Sequence, residues 1–425
     1  MNAESAKLFS QKSENEVGEN APVGIYLVGA GVVGSAVLQA HLDAGVSVWL
    51  ADQDENAVVD AVRRVRFSDA AWRLSGIEKI SGAISAIHFQ HRDAHRTCQR
   101  TLVIESIVEK LDIKQAFFRE AEQIFGDDAL LCTNTSTLPI SRIADALTHP
   151  ERFGGMHFFM PVVDRTAVEL IVGSETRAAT TAACRSHVER LGKEPLVVGD
   201  CPGFVVNRLL ALYLNEAMLL LCRGVSAGRI EATALAYGMP ISPLELIDWI
   251  GAPTMFDAGR VFWQAFPERI DPAPMLVAMI KNKRLGRAVS KGMYDYQDGQ
   301  RDLELSPRTV EFSERYCRQK IEFSDRQLME IMTIPMWIEA ALVLRSGVVD
   351  TYERFDFAMQ GGLGFDSNAP WHSFFDSMGS PAILAAMDEW SALTKAMNAP
   401  KELRQLLAVH APTDAMAAYG GGLKR

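Results

Sequence analysis

The chain has 425 residues, 48% of them hydrophobic and 23% charged, which is enough for two or three domains with substantial cores. A formal net charge of −10 argues against a nucleic-acid or anionic-membrane surface. The six cysteines, Cys98, Cys132, Cys184, Cys201, Cys222 and Cys317, show no CxxC or histidine spacing, so the expectation is reduced cytoplasmic thiols, with neither a metal site nor a disulfide frame.

Residues 1–21 are polar and carry no apolar h-region, which reads as a disordered tail and not a signal peptide. No apolar run approaches the roughly 20 residues of a membrane helix, so no membrane is expected. The first structural signal is GIYLV at 24–28, leading into Gly29-Ala30-Gly31-Val32-Val33-Gly34 and a helical pattern through Leu42. A second apolar run, Val46 to Leu50, ends at Asp52. Strand, glycine turn, helix, strand and acid together read as a dinucleotide site. Gly29 permits the turn, Gly31 lets the backbone approach a pyrophosphate, and Gly34 allows close helix–strand packing. Asp52 is placed to accept from ribose hydroxyls, and Gln53 after it is not an arginine, which favours NAD over NADP.

Val58 to about Gly82 reads as helical and basic, with Arg63, Arg64, Arg66 and Arg73 taken as a solvated face in preference to an anion contact. Thr101–Glu105 reads as a strand, followed by Glu109, Lys114 and an amphipathic helix to Phe125. Ala129–Cys132 is the next strand, ending in Asn134-Thr135-Ser136-Thr137. In a doubly wound parallel sheet, polar residues at strand carboxyl ends face the ligand crevice, which singles out Glu109, Asn134 and Ser136. For Ser136 the competing role is a helix N-cap before Pro139.

The stretch 154–172, GGMHFFMPVVDRTAVELIV, sets His157 and Glu169 among apolar, β-branched residues across a probable turn. An ionised carboxylate there is costly unless a partner meets it. Paired, the two form a catalytic dyad in which Glu169 fixes the imidazole tautomer; unpaired, His157 is a core histidine. A helix over Arg177–Leu191 and a strand over Pro195–Val198 complete an α/β domain. From Pro202 onward long apolar-periodic helices replace strands. Asn207 is the one amide in the apolar opening Pro202-Gly203-Phe204-Val205-Val206-Asn207-Arg208, and either caps locally or points into a cleft. An internal repeat follows: Glu216–Val225 is echoed by Glu339–Val348 at six of ten positions, with Gly238 and Gly361 at the same offset. Glu330 stands in the second copy where Asn207 stands in the first.

Taken in order, GAGVVG, LVIESIVEKLDIK, NTSTLPI, GMHFFMPV with VEL, PGFVVNRLL, GMPISPLELID and RLGRAVSKGMYDY resemble the L-3-hydroxyacyl-CoA dehydrogenases, and more closely the dehydrogenase half of multifunctional fatty-acid β-oxidation enzymes. The resemblance implies a Rossmann-type NAD-binding domain over 22–201, a first helical domain over 202–300 and a second, repeated one over 301–425. It implies that Gly29, Gly31, Gly34, Asp52, Gln53, Glu109 and Lys114 serve NAD. Ser136, His157, Glu169 and Asn207 match the family's catalytic set: His157 as general base, Glu169 stabilising the imidazolium, Ser136 on the reacting oxygen and Asn207 orienting substrate. The implied partners are an acyl-CoA thioester and separate enoyl-CoA hydratase and thiolase enzymes, since no segment is left for a crotonase domain. The expected state is a monomer with an internal pseudo-dimer, or a homodimer. Three features depart from the family pattern. Met160 replaces the usual asparagine of HFFNP, Gly251-Ala252-Pro253-Thr254 replaces Gly-Leu-Asp-Thr, and CoA-binding lysines lack clear counterparts in 63–79. A CoA-free hydroxy acid such as a sugar acid is the rival substrate, and a non-catalytic NAD- or acyl-CoA-binding relative is the rival class.

Overall fold

Ile25–Val28 (β1) is buried along its whole length, as suits the middle of a parallel sheet covered on both faces. It pairs in parallel with Val48–Asp52 (β2) on one side. On the other side it pairs in parallel with a strand over Leu102–Glu105. In this computed structural model the described residues are 24–68, 70–81, 84–92, 100–366 and 368–421. The tail expected over residues 1–21 and Cys98 lie outside them. The chain divides into two units, Met1–Asp200 and Cys201–Arg425.

Beyond β2 the chain departs from the sequence reading. The helix expected from Val58 to Gly82 is confined to Glu55–Arg64. Three strands follow, Trp72–Leu74 (β3), Glu78–Ser81 (β4) and Ile84–His91 (β5). β5 runs antiparallel to β2, and β3 and β4 run antiparallel to β5. Buried Ile87 and Phe89 alternate with the more exposed His88 and Gln90, which is a strand period, and Val65 turns to extended backbone at ψ 154, which ends the helix.

The Leu102–Glu105 strand is β6. On its far side lie Leu130–Thr133 (β7), Phe153–Phe158 (β8), Ala167–Val172 (β9) and Glu194–Gly199 (β10), giving the order β10-β9-β8-β7-β6-β1-β2-β5-β3. On this side the β1–β6, β6–β7 and β7–β8 pairings are parallel; β8 and β9 form an antiparallel pair, and β10 runs parallel to β9. The strand ends that carry Asp52, Glu105 and Thr133 therefore point the same way as the end of β8.

The second unit is almost wholly helical. Helices Val206–Cys222 and Asp325–Arg345, the two repeat copies, pack on each other at its core. Asp325–Arg345 is 21 residues long and apolar enough to cross a membrane by length and composition, contrary to the expectation that no such run exists; 83% of its most apolar window is buried inside the unit. Glu339, fully buried, accepts from Arg208 Nε at 2.5 Å and from Arg269 Nε at 3.1 Å. Its counterpart Glu216 accepts only from Thr394 Oγ1 at 2.9 Å and, at 3.4 Å, Asn215 Nδ2; its other oxygen has no hydrogen-bond partner among the described residues. The repeat extends to a matching junction, Gly251 before Ala252–Ala265 and Gly379 before Ser380–Trp390, with φ/ψ of 90/137 and 82/146.

Candidate active site and cofactor cradle

The glycine turn is built for close approach. Gly29 has φ +104, and a Cβ there would lie 2.5 Å from the Ser106 carbonyl oxygen. A Cβ on Gly34 would lie 1.7 Å from the Gly29 oxygen, which ties that glycine to packing of the turn on helix Val32–Asp43. Gly31 is different: nothing lies within 4 Å of a Cβ there, leaving open space in front of a helix N-terminus that no side chain caps. Open backbone N–H groups and the positive end of a helix dipole are what a pyrophosphate needs.

Asp52 ends β2 beside this turn. Its Oδ2 accepts from Ala30 N at 2.7 Å and its Oδ1 from Asp54 N at 2.9 Å, while Gln53 is exposed. These residues fit an adenosine ribose and diphosphate. Arg63 pairs with Asp60 in solvent as expected of a solvated face, but Arg64 reaches back to the Ala30 carbonyl at 3.3 Å. Arg64 is thus a neighbour of the cradle that helical periodicity alone did not mark.

The loop after β7 is held by carboxylates. Glu109 accepts from the Thr135 hydroxyl, from Ser136 N at 3.1 Å, and from Thr137 N and Oγ1 at 3.2 and 3.0 Å. Burial opposes its ionisation, but the Lys114 ammonium and the Thr135 and Thr137 hydroxyls outweigh it and hold the Glu109 carboxyl below the usual range. Lys114 is 1% exposed and lies between Glu105 Oε1 at 2.6 Å and Glu109 Oε2 at 3.4 Å, so its charge supports the loop from beneath. Glu105, also contacted by Thr133 Oγ1 at 2.7 Å and Ile107 N at 2.6 Å, is a site residue the sequence reading passed over. Its signal was present: an acid ending an apolar strand, nine residues before a lysine.

The β8–β9 register sets His157 directly opposite Glu169. Nδ1 of His157 lies 2.8 Å from Glu169 Oε2, and Nε2 lies 3.1 Å from Ser136 Oγ. An ionised carboxylate only accepts, so Nδ1 carries the proton and Nε2 accepts from the Ser136 hydroxyl. Glu169 is fully buried and His157 is 4% exposed, with Phe159 edge-on at 4.8 Å. Ser136 is not the cap of the next helix: Asp200 accepts from Ile140 N at 3.0 Å and Ser141 N at 2.8 Å, where helix Ile140–Ala144 begins. The turn joining the two strands is held by Lys193, whose Nζ donates to the Val162 and Arg165 carbonyls at 2.6 Å each. Met160 in that turn is 46% exposed.

Asn207 belongs to the second unit and lies in the first turn of helix Val206–Cys222, not at its N-cap position, which Val205 fills. The chain enters that helix through two left-handed residues, Gly203 at φ +74 and Phe204 at φ +50. In the second copy Glu330 is paired, accepting from Arg326 Nε at 2.7 Å and Trp390 Nε1 at 3.3 Å. Among the described residues no group of three or more His, Cys, Asp or Glu is placed to hold a metal ion.

Residues 24–201 match the family model of the 3-hydroxyacyl-CoA dehydrogenase NAD-binding domain, and residues 203–296 match that of the same family's C-terminal domain. The fatty acid oxidation complex subunit alpha of Pseudomonas syringae pv. syringae is 30% identical over 401 residues, which cover 90% of this chain and 54% of that protein. The chain thus spans about half the length of the curated relatives it matches. The crystal structure of (S)-3-hydroxybutyryl-CoA dehydrogenase from Ralstonia eutropha is 32% identical with a TM-score of 0.55, covering 64% of this chain and 99% of that one. A 3-hydroxybutyryl-CoA dehydrogenase from Escherichia coli shares the fold, with a TM-score of 0.69 at 21% identity over 91% of this chain and 98% of that one. The glycine cradle, the matching domain pair and these relatives agree, and the chain belongs to the 3-hydroxyacyl-CoA dehydrogenase family.

Proposed function

We propose that the chain oxidises the 3-hydroxyl of an L-3-hydroxyacyl-CoA to the 3-keto thioester, with NAD as the hydride acceptor. The observation that carries this reading is the run of two hydrogen bonds, Ser136 Oγ to His157 Nε2 at 3.1 Å and His157 Nδ1 to Glu169 at 2.8 Å. Gly29, Gly31, Gly34 and Asp52 would hold the diphosphate and ribose of NAD, with Gln53, Glu109 and Lys114 at the margins of that cradle, and the bound cofactor would supply the hydride acceptor for C3.

The protein's own part is proton transfer. Nε2 of His157 takes the hydroxyl proton, Glu169 stabilises the imidazolium through Nδ1–H, and the Ser136 hydroxyl holds the reacting oxygen. Asn207 is assigned to orienting the substrate. Division of the second unit into helical domains at 202–300 and 301–425, a cytoplasmic setting, separate hydratase and thiolase partners, and a monomer with an internal pseudo-dimer belong to the same proposal. They are supported by the repeat, by the thiol usage and by the family.

The test is NADH oxidation with acetoacetyl-CoA and a longer 3-ketoacyl-CoA, comparing wild type with His157→Gln. A general base supplies about 100-fold or more, so the variant is expected to lose at least that in kcat. A wild type inactive on both thioesters but active on a free hydroxy acid would move the substrate to the CoA-free class. Stabilisation by NADH without any turnover would make the protein a binding relative.

A further inference from the structure

The strand that carries His157 outruns its neighbour. β8 pairs with β7 in parallel only through Leu131↔Phe153, Cys132↔Gly154 and Thr133↔Gly155, so Met156, His157 and Phe158 extend past the last ladder position of β7. A buried backbone N–H in such an overhang needs another acceptor, because leaving it unmade costs the full desolvation penalty. The acceptor at Phe158 is a side chain: Phe158 N donates to Asn134 Oδ1 at 2.8 Å. The other end of the same amide donates from Nδ2 to Ser106 Oγ at 3.1 Å.

Both ends of that bridge matter for chemistry. Asn134 is 8% exposed and is itself anchored, its N–H donating to the Glu105 carbonyl at 2.8 Å. Ser106 donates its N–H to Val28 O at 2.7 Å and presents its own carbonyl oxygen 2.5 Å from where a Cβ of Gly29 would sit. One amide therefore ties the segment packed behind the glycine turn to the residue next to His157. Two positions along, the same loop supplies the Ser136 hydroxyl to Nε2.

We propose that Asn134 is a positioning residue. It completes the ladder that β7 cannot, and so fixes the depth of His157 relative to both Ser136 and the glycine turn. The proposal rests on the dehydrogenase reading for its kinetic consequence, but not for its structural one. Asn134 touches no reacting atom. It acts through the Phe158 amide on one side and the Ser106 hydroxyl on the other. A carboxylate at this position still accepts from Phe158 N–H, and the Ser106 hydroxyl, which can donate as well as accept, turns to meet it. Alanine supplies neither contact.

The test compares wild type, Asn134→Ala and Asn134→Asp in the full chain. Each is measured for NADH oxidation with acetoacetyl-CoA, for NADH binding by fluorescence titration, and for hydrogen exchange at the Phe158 amide. Misplacement of a catalytic group by about 1 Å costs on the order of 100-fold. Asn134→Ala is accordingly expected to lose roughly 30- to 100-fold in kcat, with KM and the NADH dissociation constant within about 3-fold of wild type. Asn134→Asp is expected to recover kcat to within about 5-fold, an outcome that a general loss of packing would not give. Exchange at Phe158 is expected to be slow in wild type and Asn134→Asp and fast in Asn134→Ala, whether or not the chain turns over this thioester. A folded Asn134→Ala with wild-type kcat, or with slow exchange at Phe158, overturns the proposal, as does an Asn134→Asp no better than Asn134→Ala. If wild type itself is inactive on the thioester while the exchange pattern holds, the substrate assignment has failed and the positioning role has not.

Discussion

His157 and Glu169 are directly opposed residues of an antiparallel pair, and the register alone brings Nδ1 to 2.8 Å from a carboxylate oxygen. Both residues lie within strands and not on the turn between them, so the geometry of the dyad is as fixed as the ladder that carries it.

Glu169→Gln keeps an acceptor at Nδ1–H but removes the charge that would stabilise the imidazolium. The expected result is a 10- to 100-fold fall in kcat, about 1.4 to 2.7 kcal/mol of transition-state stabilisation, with little change in KM. Steady-state NADH oxidation measures it. Wild-type kcat in this variant would leave Glu169 a packing role only.

The three glycines of the turn are expected to respond differently. At Gly31, φ is −69 and the space around a Cβ is open, so Gly31→Ala should fold with a melting temperature close to wild type. It should nevertheless weaken NADH binding at least 10-fold, because the methyl group occupies the room left for the diphosphate. Gly34→Ala, with its Cβ forced to within 1.7 Å of the Gly29 oxygen, should lower the melting temperature as well. Thermal melts alongside fluorescence titration separate the two. Equal NADH affinity in Gly31→Ala would remove that residue from the cradle.

Lys114→Met strips the counter-charge from Glu105, which is fully buried. Breaking a buried pair by removing one partner costs about 3–5 kcal/mol, whereas removing both charges is much less costly. Urea unfolding of Lys114→Met against Glu105→Gln/Lys114→Met is expected to show the double variant as the more stable. A loss below about 1 kcal/mol in the single variant would put the pair in the range of surface ion pairs.

Burial pushes the Glu216 carboxyl up to about 7, opposed by Thr394, Arg223 and Asn215 and assisted by Asp271. The unfolded chain releases this proton near the ordinary glutamate value of 4.5, so between about 4.5 and about 7 the native state holds more protons than the unfolded one. The contribution of Glu216 to stability is therefore greatest below pH 4.5 and is lost as pH rises through about 7. Glu216→Gln removes that loss. Relative to wild type the variant should be near neutral at pH 4.5 and more stable by roughly 1–3 kcal/mol at pH 8, read from urea unfolding at both. No difference between the two pH values would mean that Glu216 titrates as in water.

The glycine turn and the hairpin were legible because each is a local pattern whose chemistry is local too. Gly29-x-Gly-x-x-Gly34 follows a buried strand, and His157 and Glu169 sit in runs that alternate about one turn. The segment after Arg64 was misread because short strands at a sheet edge carry weak periodicity, and basic residues among them mimic a helix face. The roles of Lys114 and Glu105 were hidden for another reason. Nothing in a linear sequence says that a lysine on a helix points inward, and only tertiary packing sets Nζ at 2.6 Å from a buried acid. Asn134 was marked as a crevice residue from its place at a strand end. That it serves the backbone of the next strand depends on β8 being longer than β7, which no pattern announces.

The unequal partners of Glu216 and Glu339 make the two copies interdependent. Glu339, in the second copy, is the carboxylate on which Arg208 and Arg269 of the first now depend, while Ile331 occupies the second copy's place for Arg208. Deleting the second copy would strand two guanidinium groups without their counter-charge. The second copy is therefore part of the first one's core and not a detachable addition to it.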